Sequence, residues 1–356
     1  MITIVLGTRP EIIKMSPVVR ECRKRGLEFN ILHTGQHYSY ELDRTFFEQL
    51  ELPNADHNLD VGSGDHGEQT GKILTGIEKV LKSNRTKEVL VQGDTNTVMA
   101  GALAASKMHI KVGHVEAGLR SFDRNMPEEI NRIVADHVSD HLFAPTENSK
   151  ELLLREGISD EKIYVTGNTI VDSVFQNLEI SKKKVDPVKD LGLTEKKFAL
   201  LTSHRAENVD VKERFQGIIA GAKLFSDISG MEVLYPIHPR AKKSLKQFDI
   251  NTDGIKVVDP VGFLEFLRLE SSAGMILTDS GGVQEEACIL GTPCVTLRDN
   301  TERPETVDVG GNILAGTHPD DIVDAGVKML NTKKGWKNPL GDGRSSVRIL
   351  DIVAGP

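Results

Sequence analysis

Three carboxylates stand where a chain could do proton chemistry. Asp94 follows the apolar run 88–92, Glu116 follows the run 111–115, and Glu128 comes directly after Pro127. If both runs are neighbouring strands of one sheet, the three acids converge on one spot. Carboxylates that crowd each other or lose water have raised pKa values and exchange protons near neutral pH. Taken alone, Glu128 is equally suited to capping, since proline favours the first helical turn and an acid there meets the positive end of the helix.

A second set of residues suits an anion. Gly7-Thr8-Arg9-Pro10-Glu11 follows the run 2–6 and opens a helical pattern, with Lys14 one turn further on. A glycine allows a tight turn at a strand end, and a helix start offers unpaired N–H groups to an anion. The same grammar returns in Thr278-Asp279-Ser280-Gly281-Gly282-Val283-Gln284-Glu285-Glu286. Two glycines there let backbone N–H groups come close to phosphate oxygens, and Ser280 adds a hydroxyl. Glu286 lies about one helical turn past Gly282, where its carboxylate can accept hydrogen bonds from two vicinal ribose hydroxyls. Arg303 follows another strand end. It suits a diphosphate, or else an ordinary ion pair with its neighbours Glu302 and Glu305. His204, in Ser203-His204-Arg205, mirrors the Gly-Thr-Arg turn and can donate to a phosphate or protonate a leaving group.

Other patterns carry less. Gly62-Ser63-Gly64-Asp65-His66-Gly67 matches the dinucleotide fingerprint G-x-G-x-x-G, but the residues before it, 56–61, are mostly polar. The fingerprint needs an apolar strand in front, so the stretch reads as a mobile glycine loop. No Walker lysine motif occurs, no second histidine stands three or four residues from His114, and the histidines do not gather into a metal site, so no metal is expected.

The elements that must position these groups are visible as alternation. Strands are predicted at 2–6, 29–34, 88–92, 111–115, 141–144 and 163–167, then at 198–203, 232–237, 255–259, 275–279 and 294–297. Amphipathic helices lie between them. In 11–25, Met15, Val18, Val19 and Cys22 share one face, and in 128–137 Ile130, Ile133, Val134 and His137 repeat that spacing. Strand–helix alternation implies an α/β fold with parallel sheets, and apolar strands imply burial on both faces. The alternation lapses at 181–197, which is charged and contains Pro187. This predicts two doubly wound, Rossmann-like domains, 1–180 and 198–338, joined by a linker over 181–197. In such sheets ligands bind beyond the carboxyl ends of the strands, so a cleft between the two domains is the expected site.

Composition narrows the partners. The chain has 356 residues, and 44 Lys and Arg against 52 Asp and Glu give a formal charge of −8. An acidic chain is not built to coat nucleic acid or an anionic membrane. Three cysteines cannot form a disulfide framework and read as ordinary reduced thiols. No uninterrupted apolar stretch approaches the length of a membrane span, so a soluble, cytoplasmic protein is expected.

Several motifs occur together in a fixed order: Gly-Thr-Arg-Pro-Glu (7–11), Gln-Gly-Asp-Thr (92–95), Gly-His-Val-Glu-Ala-Gly-Leu-Arg (113–120), Pro-Glu-Glu-Ile-Asn-Arg (127–132), Thr-Gly-Asn-Thr (166–169), residues 278–286, and Glu-Arg-Pro-Glu (302–305). Over nearly its whole length the chain resembles the non-hydrolysing UDP-N-acetylglucosamine 2-epimerases. The resemblance implies a glycosyltransferase-B-type fold whose two domains close on a nucleotide sugar. It implies reversible epimerisation of UDP-N-acetylglucosamine to UDP-N-acetylmannosamine, through elimination of UDP to 2-acetamidoglucal and re-addition, with no cofactor. By that resemblance Asp94, Glu116, Glu128 and His204 are catalytic. Arg9, Lys14, Ser280, Gly281, Gly282, Glu286 and Arg303 hold UDP, and Phe266 in Pro-Val-Gly-Phe-Leu-Glu-Phe (260–266) flanks the uracil. Gln36 and His37 match part of a region where bacterial members bind an activating second substrate. Residues 62–69 depart from the pattern there, with Glu68 where a basic residue often stands. The resemblance also implies a homodimer, and a C-terminal segment, 339–356, that packs back across the hinge.

The chemistry agrees with the acids. A sugar C2–H without a neighbouring carbonyl is not acidic, whereas loss of UDP from C1 makes it removable. Inversion then needs proton removal and return on opposite faces, which suits two groups, Glu116 and Glu128, with His204 at the diphosphate and Asp94 tuning the pair. A UDP-sugar-dependent glycosyltransferase, a hydrolysing epimerase and an inactive sugar-nucleotide sensor are the alternatives.

Overall fold

The runs Ile2–Leu6 and Glu88–Gln92 are buried along their whole length, as strands must be when helices cover both sides of a parallel sheet. The computed structural model describes residues 1–36, 40–332 and 335–355. It divides into one unit of Met1–Gln176 with Leu340–Pro356 and another of Asn177–Pro339.

The first unit begins with β1 (Ile2–Leu6), α1 (Arg9–Lys24), β2 (Phe29–His33), α2 (Tyr40–Gln49), β3 (His57–Asn58) and α3 (His66–Ser83). It continues through β4 (Glu88–Gln92), α4 (Asn96–Lys107), β5 (Lys111–Val115) and α5 (Pro127–Val138). Then come β6 (His141–Ala144), α6 (Glu147–Arg155), β7 (Ile163–Val165) and α7 (Thr169–Lys184). Its sheet has the order β3-β2-β1-β4-β5-β6-β7, with parallel pairing throughout.

The second unit contains α8 (Pro187–Asp190), β8 (Phe198–Thr202), α9 (Ala206–Val209), α10 (Lys212–Ser229), β9 (Glu232–Pro236) and α11 (Pro239–Phe248). After them run β10 (Ile255–Val258), α12 (Phe263–Ser272), β11 (Met275–Thr278), α13 (Gly281–Leu290) and β12 (Cys294–Thr296). It closes with α14 (Pro304–Asp308), β13 (Asn312–Leu314) and α15 (Pro319–Asn331), while α16 (Ser345–Ala354) belongs to the first unit. The second sheet has the order β10-β9-β8-β11-β12-β13, again parallel. In both sheets the chain reverses direction of addition beside its first strand. The switch points are therefore β1/β4 and β8/β11, where a doubly wound sheet presents its crevice.

Local signals place the helices as the sequence predicts, with exceptions. The α1 face of Met15, Val18, Val19 and Cys22 is fully buried. On α5 the outcome differs: Glu129, Asn131, Ala135 and Asp136 are buried, and the apolar stripe is only partly covered. The polar groups take the inner face because each has a partner there, described below. The glycine stretch 62–67 is not all loop, since His66 and Gly67 already form the first turn of α3.

The boundary also differs from the predicted linker over 181–197. The exposed Lys182, Lys183 and Lys184 are the last turn of α7. Val188 and Leu193 join Phe198 and Leu200 in a core of the second unit, and Ser181 donates to the Leu264 carbonyl at 2.7 Å. The charges mark a solvated face, while the few apolar residues between them dock. The division falls inside α7 instead. At the other end, Asp172 accepts from Ser345 N (3.1 Å), Ser346 N (2.9 Å) and Ser346 Oγ (2.7 Å), which ties α16 to the start of α7.

Candidate active site

In the first unit two of the expected acids each meet a cation. Glu116 leaves β5 with φ +71°, a left-handed conformation unusual outside glycine, and its N–H donates to Phe143 O at 3.1 Å. Its carboxylate receives Lys14 Nζ at 2.6 and 2.8 Å and Gln92 Nε2 at 2.8 Å. Lys14, predicted to hold UDP, thus sits on a catalytic candidate. Asp94 pairs with Arg132, and Asn131 Nδ2 donates to its backbone oxygen at 2.9 Å. Glu128 is exposed at the start of α5, four residues before Arg132 and so on the same helix face. Glu129, its neighbour, is buried and accepts from Ser121 N, Ser121 Oγ and Phe122 N at 2.9–3.0 Å. The loop between Glu116 and Glu128 is thereby tied to α5.

Behind these groups lies a buried cationic histidine. His114 is fully buried, with Nδ1 2.6 Å from Asp136 and Nε2 2.8 Å from Gly93 O. Both partners only accept, so both ring nitrogens carry protons. Burial works against the charge, yet Asp136 and the Gly93 carbonyl outweigh it and raise the His114 pKa. Asp136 also accepts from Gly118 N at 3.2 Å and pairs with Arg120 at 2.7 Å. Asp136 so fixes the loop after β5 directly, and through His114 it reaches the loop after β4.

Glu11 is a residue that the sequence reading quoted without using. It is buried and accepts from Gly7 N (2.5 Å), Thr8 N (3.2 Å) and Thr95 Oγ1 (2.5 Å), linking the loops after β1 and β4. Burial pushes its carboxyl up to about 7, against the lowering effect of those donors. Arg9, 41% exposed, reaches Asp43 at 3.3 Å and lies over Phe46. Gln36 is buried, and its side-chain oxygen accepts from Thr97 N and Oγ1 at 3.1 and 2.7 Å. His37 lies outside the described residues.

In the second unit the β8/β11 switch point is organised by Asp279. This fully buried carboxylate accepts from Ser203 Oγ (2.8 Å), His204 N, Arg205 N (3.1 Å) and Asn208 Nδ2 (3.2 Å), and meets His204 Nδ1 at 3.2 Å. Burial would raise its pKa, but these donors hold it below the usual carboxylate range. Thr202, Ser203, His204, Pro236, His238, Pro260, Val261 and Phe266 line a cavity of about 170 Å³. The His204 and His238 rings stand 5.9 Å apart, and the His238 pKa is lowered first by burial and then by the nearby His204 and Arg240.

Beside that cavity Ser280 leads into α13. A Cβ added at Gly281 would meet nothing closer than Glu302 Oε2 at 3.8 Å, and one at Gly282 only Ser280 Oγ at 4.0 Å. Neither glycine has a positive φ. Nothing in the described protein demands glycine at these two positions, and the open space beside each leaves room for a ligand to approach the backbone. Glu286 is half-buried one turn on. Arg303 pairs with the buried Glu285 at 2.7 Å and donates to Glu302 O at 3.0 Å.

Sequence reasoning placed the acids and the glycines but missed Asp279, Glu11, Arg132 and the His114–Asp136 pair. Asp279 and Glu11 had a signal, since each is an acid one residue beyond a strand or three into the helix after it. Arg132 stands four residues past Glu128. Among the described residues no group of three or more His, Cys, Asp or Glu side chains could hold a metal ion, and no helix is long and apolar enough to cross a membrane.

Two parallel-sheet α/β units, one with strand-end carboxylates and one with a paired-glycine helix start, define a nucleotide-sugar-type architecture. The model of the UDP-N-acetylglucosamine 2-epimerase family matches residues 20–354, and the chain belongs to that family. It is 56% identical to the UDP-N-acetylglucosamine 2-epimerase of Methanocaldococcus jannaschii, over 99% of this chain and 98% of that one. The crystal structure of the M. jannaschii enzyme in complex with UDP-GlcNAc and UDP superposes with a TM-score of 0.85 over 100% of this chain and 99% of that one, at 56% identity. The UDP-2,3-diacetamido-2,3-dideoxy-D-glucuronate 2-epimerase of Pseudomonas aeruginosa is 41% identical, with 98% of each chain covered.

Proposed function

We propose that the protein is a non-hydrolysing epimerase that interconverts UDP-N-acetylglucosamine and UDP-N-acetylmannosamine. UDP leaves C1 and the C2 proton leaves to a carboxylate, 2-acetamidoglucal stays bound, and UDP adds back at C1 as a proton is delivered to the opposite face of C2. The single observation that carries this reading is the held carboxylate of Glu116, presented at a strand end by Lys14 and Gln92 beside the loop that bears Asp94. Transfer to an acceptor needs fewer carboxylates than removal and return of a proton on the two faces of a carbon.

In this mechanism the N–H groups of Gly281 and Gly282, with Ser280, receive the diphosphate, and Arg303 lends charge to it. Glu286 receives the ribose hydroxyls, and Phe266 borders the base in its cavity. His204, held through Nδ1 by Asp279, presents its other ring nitrogen to the departing phosphate oxygen. Glu116 and Glu128 take and return the C2 proton on opposite faces, with Asp94 set by Arg132. Lys14 serves Glu116 in place of the phosphates. Arg9, partly exposed, remains a phosphate partner in this reading.

The test is incubation with UDP-N-acetylglucosamine alone in deuterated water, followed by NMR. The expected result is UDP-N-acetylmannosamine carrying deuterium at C2. Free N-acetylmannosamine with stoichiometric UDP points to hydrolysis, and turnover that waits for an acceptor points to transfer. Binding without turnover makes the chain a sensor. Because a 41% identical relative is named for another UDP-sugar, UDP-2,3-diacetamido-2,3-dideoxy-D-glucuronate belongs in a parallel run.

A further inference from the structure

His114 lies on β5, an inner strand of the first sheet, and is fully buried. A neutral histidine in that place would need one donor and one acceptor as partners, and this one meets two acceptors. Nδ1 stands 2.6 Å from a carboxylate oxygen of Asp136 on α5, and Nε2 stands 2.8 Å from the carbonyl oxygen of Gly93, in the turn after β4. The ring is therefore a buried imidazolium that donates in two directions. Burial opposes the charge, but Asp136, the Gly93 carbonyl and Glu116 outweigh it. Asp136 has further partners of its own. Arg120 pairs with it at 2.7 Å, Glu156 anchors that arginine at 2.6 Å, and Gly118 N donates to it at 3.2 Å. Neutralising Asp136 is thus shared with Arg120, whereas the bond to Gly93 is what the histidine adds.

That bond falls one peptide before Asp94. Gly93 N donates to Val115 O at 3.1 Å, so both polar groups of Gly93 are tied to β5, in a backbone of φ +89° that favours glycine. On the other side, Asn131 Nδ2 of α5 donates to the Asp94 carbonyl at 2.9 Å. The main chain of Asp94 is thereby clamped from β5 before it and from α5 after it. The same ion pair joins β5, which runs into Glu116, to α5, whose first turn carries Glu128. The elements that carry the three acids meet at His114 and Asp136.

We propose that His114 is a positioning residue of the epimerase reaction: its Nε2–H holds the Gly93 carbonyl and so sets the position of Asp94. This rests on the reading of Asp94 as one of the catalytic acids. A charged donor suits the task, since a hydrogen bond from an ionised group is shorter and stronger than a neutral one. Once that bond is lost, the Gly93 peptide is free to turn, and Asp94 moves with it, together with its ion pair to Arg132. The residues read as holding UDP in the second unit are untouched. Chemistry suffers while binding does not.

The experiment separates the two bonds of the ring. The amide nitrogen of an asparagine at 114 falls near the place of Nδ1 and still donates to Asp136, whereas that of a glutamine reaches the place of Nε2 and still donates to Gly93. Steady-state kinetics with UDP-N-acetylglucosamine and melting curves are measured on the full-length wild type, His114→Asn, His114→Gln and Asp94→Asn. The expected result is that His114→Asn loses about 10²-fold in kcat with little change in KM, the mark of a misplaced reacting group. His114→Gln stays about tenfold or more above His114→Asn in kcat, the worth of one retained hydrogen bond, even where it melts at the lower temperature. A residue that only held the fold would give rates in the order of the melting temperatures. Equal kcat for the two variants, or a higher kcat for His114→Asn, overturns the proposal. Should neither variant fold, nitrogen NMR of the His114 ring in the wild-type protein decides. Protons on both ring nitrogens are expected, and an Nε2 without one cannot hold Gly93 and overturns the proposal. If instead Asp94→Asn epimerises at the wild-type rate, the reading of Asp94 itself fails, whatever the variants at 114 show.

Discussion

The Lys14 ammonium lies 2.6 and 2.8 Å from the two carboxylate oxygens of Glu116, so a residue of the first helix holds an acid at the end of the fifth strand. A lysine that binds diphosphate and a lysine that fixes an acid have different kinetic signatures. Lys14→Met should lower kcat by about 10²-fold, the penalty for a reacting group misplaced by about an ångström, and change KM little. Steady-state kinetics with UDP-N-acetylglucosamine decides the matter, and a rise in KM at constant kcat would return Lys14 to the phosphates.

Glu116→Gln removes the base but keeps the shape. The epimerase rate should fall by about 10²–10⁴-fold, the usual contribution of a positioned proton-transfer group. Solvent deuterium at C2 should fall in parallel. A variant that keeps most of its rate sinks the assignment.

Gly281→Ala and Gly282→Ala separate ligand approach from folding. The added methyl meets no protein atom within 3.8 Å at the first position or 4.0 Å at the second, so thermal stability should be unchanged or slightly raised. UDP affinity should fall by about ten- to a hundredfold, as expected when a filled contact is overpacked by about 1–3 kcal/mol. Calorimetry and a melting curve on the same samples give both numbers.

Glu11 makes stability depend on pH. Its folded pKa of about 7 lies above its ordinary value of 4.5, so the folded state keeps a proton that the unfolded chain loses between those values. Stability therefore falls as pH rises through that window and levels off above about 7, by up to about 3 kcal/mol from this group. Glu11→Gln, which carries no titrating proton, should lose less stability between pH 5 and pH 8 than wild type. Urea unfolding at the two pH values reads the difference, and equal slopes would refute it.

Much of this architecture was legible because strands and turns write themselves locally. Every predicted strand formed, with ends shifted by a residue or two, since buried runs of Val, Ile and Leu flanked by glycine leave few options. The two-residue β3 and the three-residue β13 escaped, being too short to show a period. Charge misled over 181–197, because three exposed lysines outweighed Val188 and Leu193 in the reading while the fold buries those two. The acids Asp94, Glu116 and Glu128 were visible as strand-end and helix-start residues. Their cations were not: Lys14 meets Glu116 across 102 positions and Arg132 meets Asp94 across 38. Such pairings are set by strand order, which spacing along the chain does not encode. The same holds for His114, fully buried and charged only because Asp136 comes to it from α5.

Helix α16 belongs to the first unit although all of the second unit precedes it in the chain. As the polypeptide leaves the ribosome, every residue of the second unit is available before the serines that satisfy Asp172. The second unit can thus acquire its native order during synthesis, while the first, acid-bearing unit must wait for a late-arriving piece. Premature termination before Ser345 would strand that buried carboxylate and leave the first unit unfinished beside a second unit whose residues are all present.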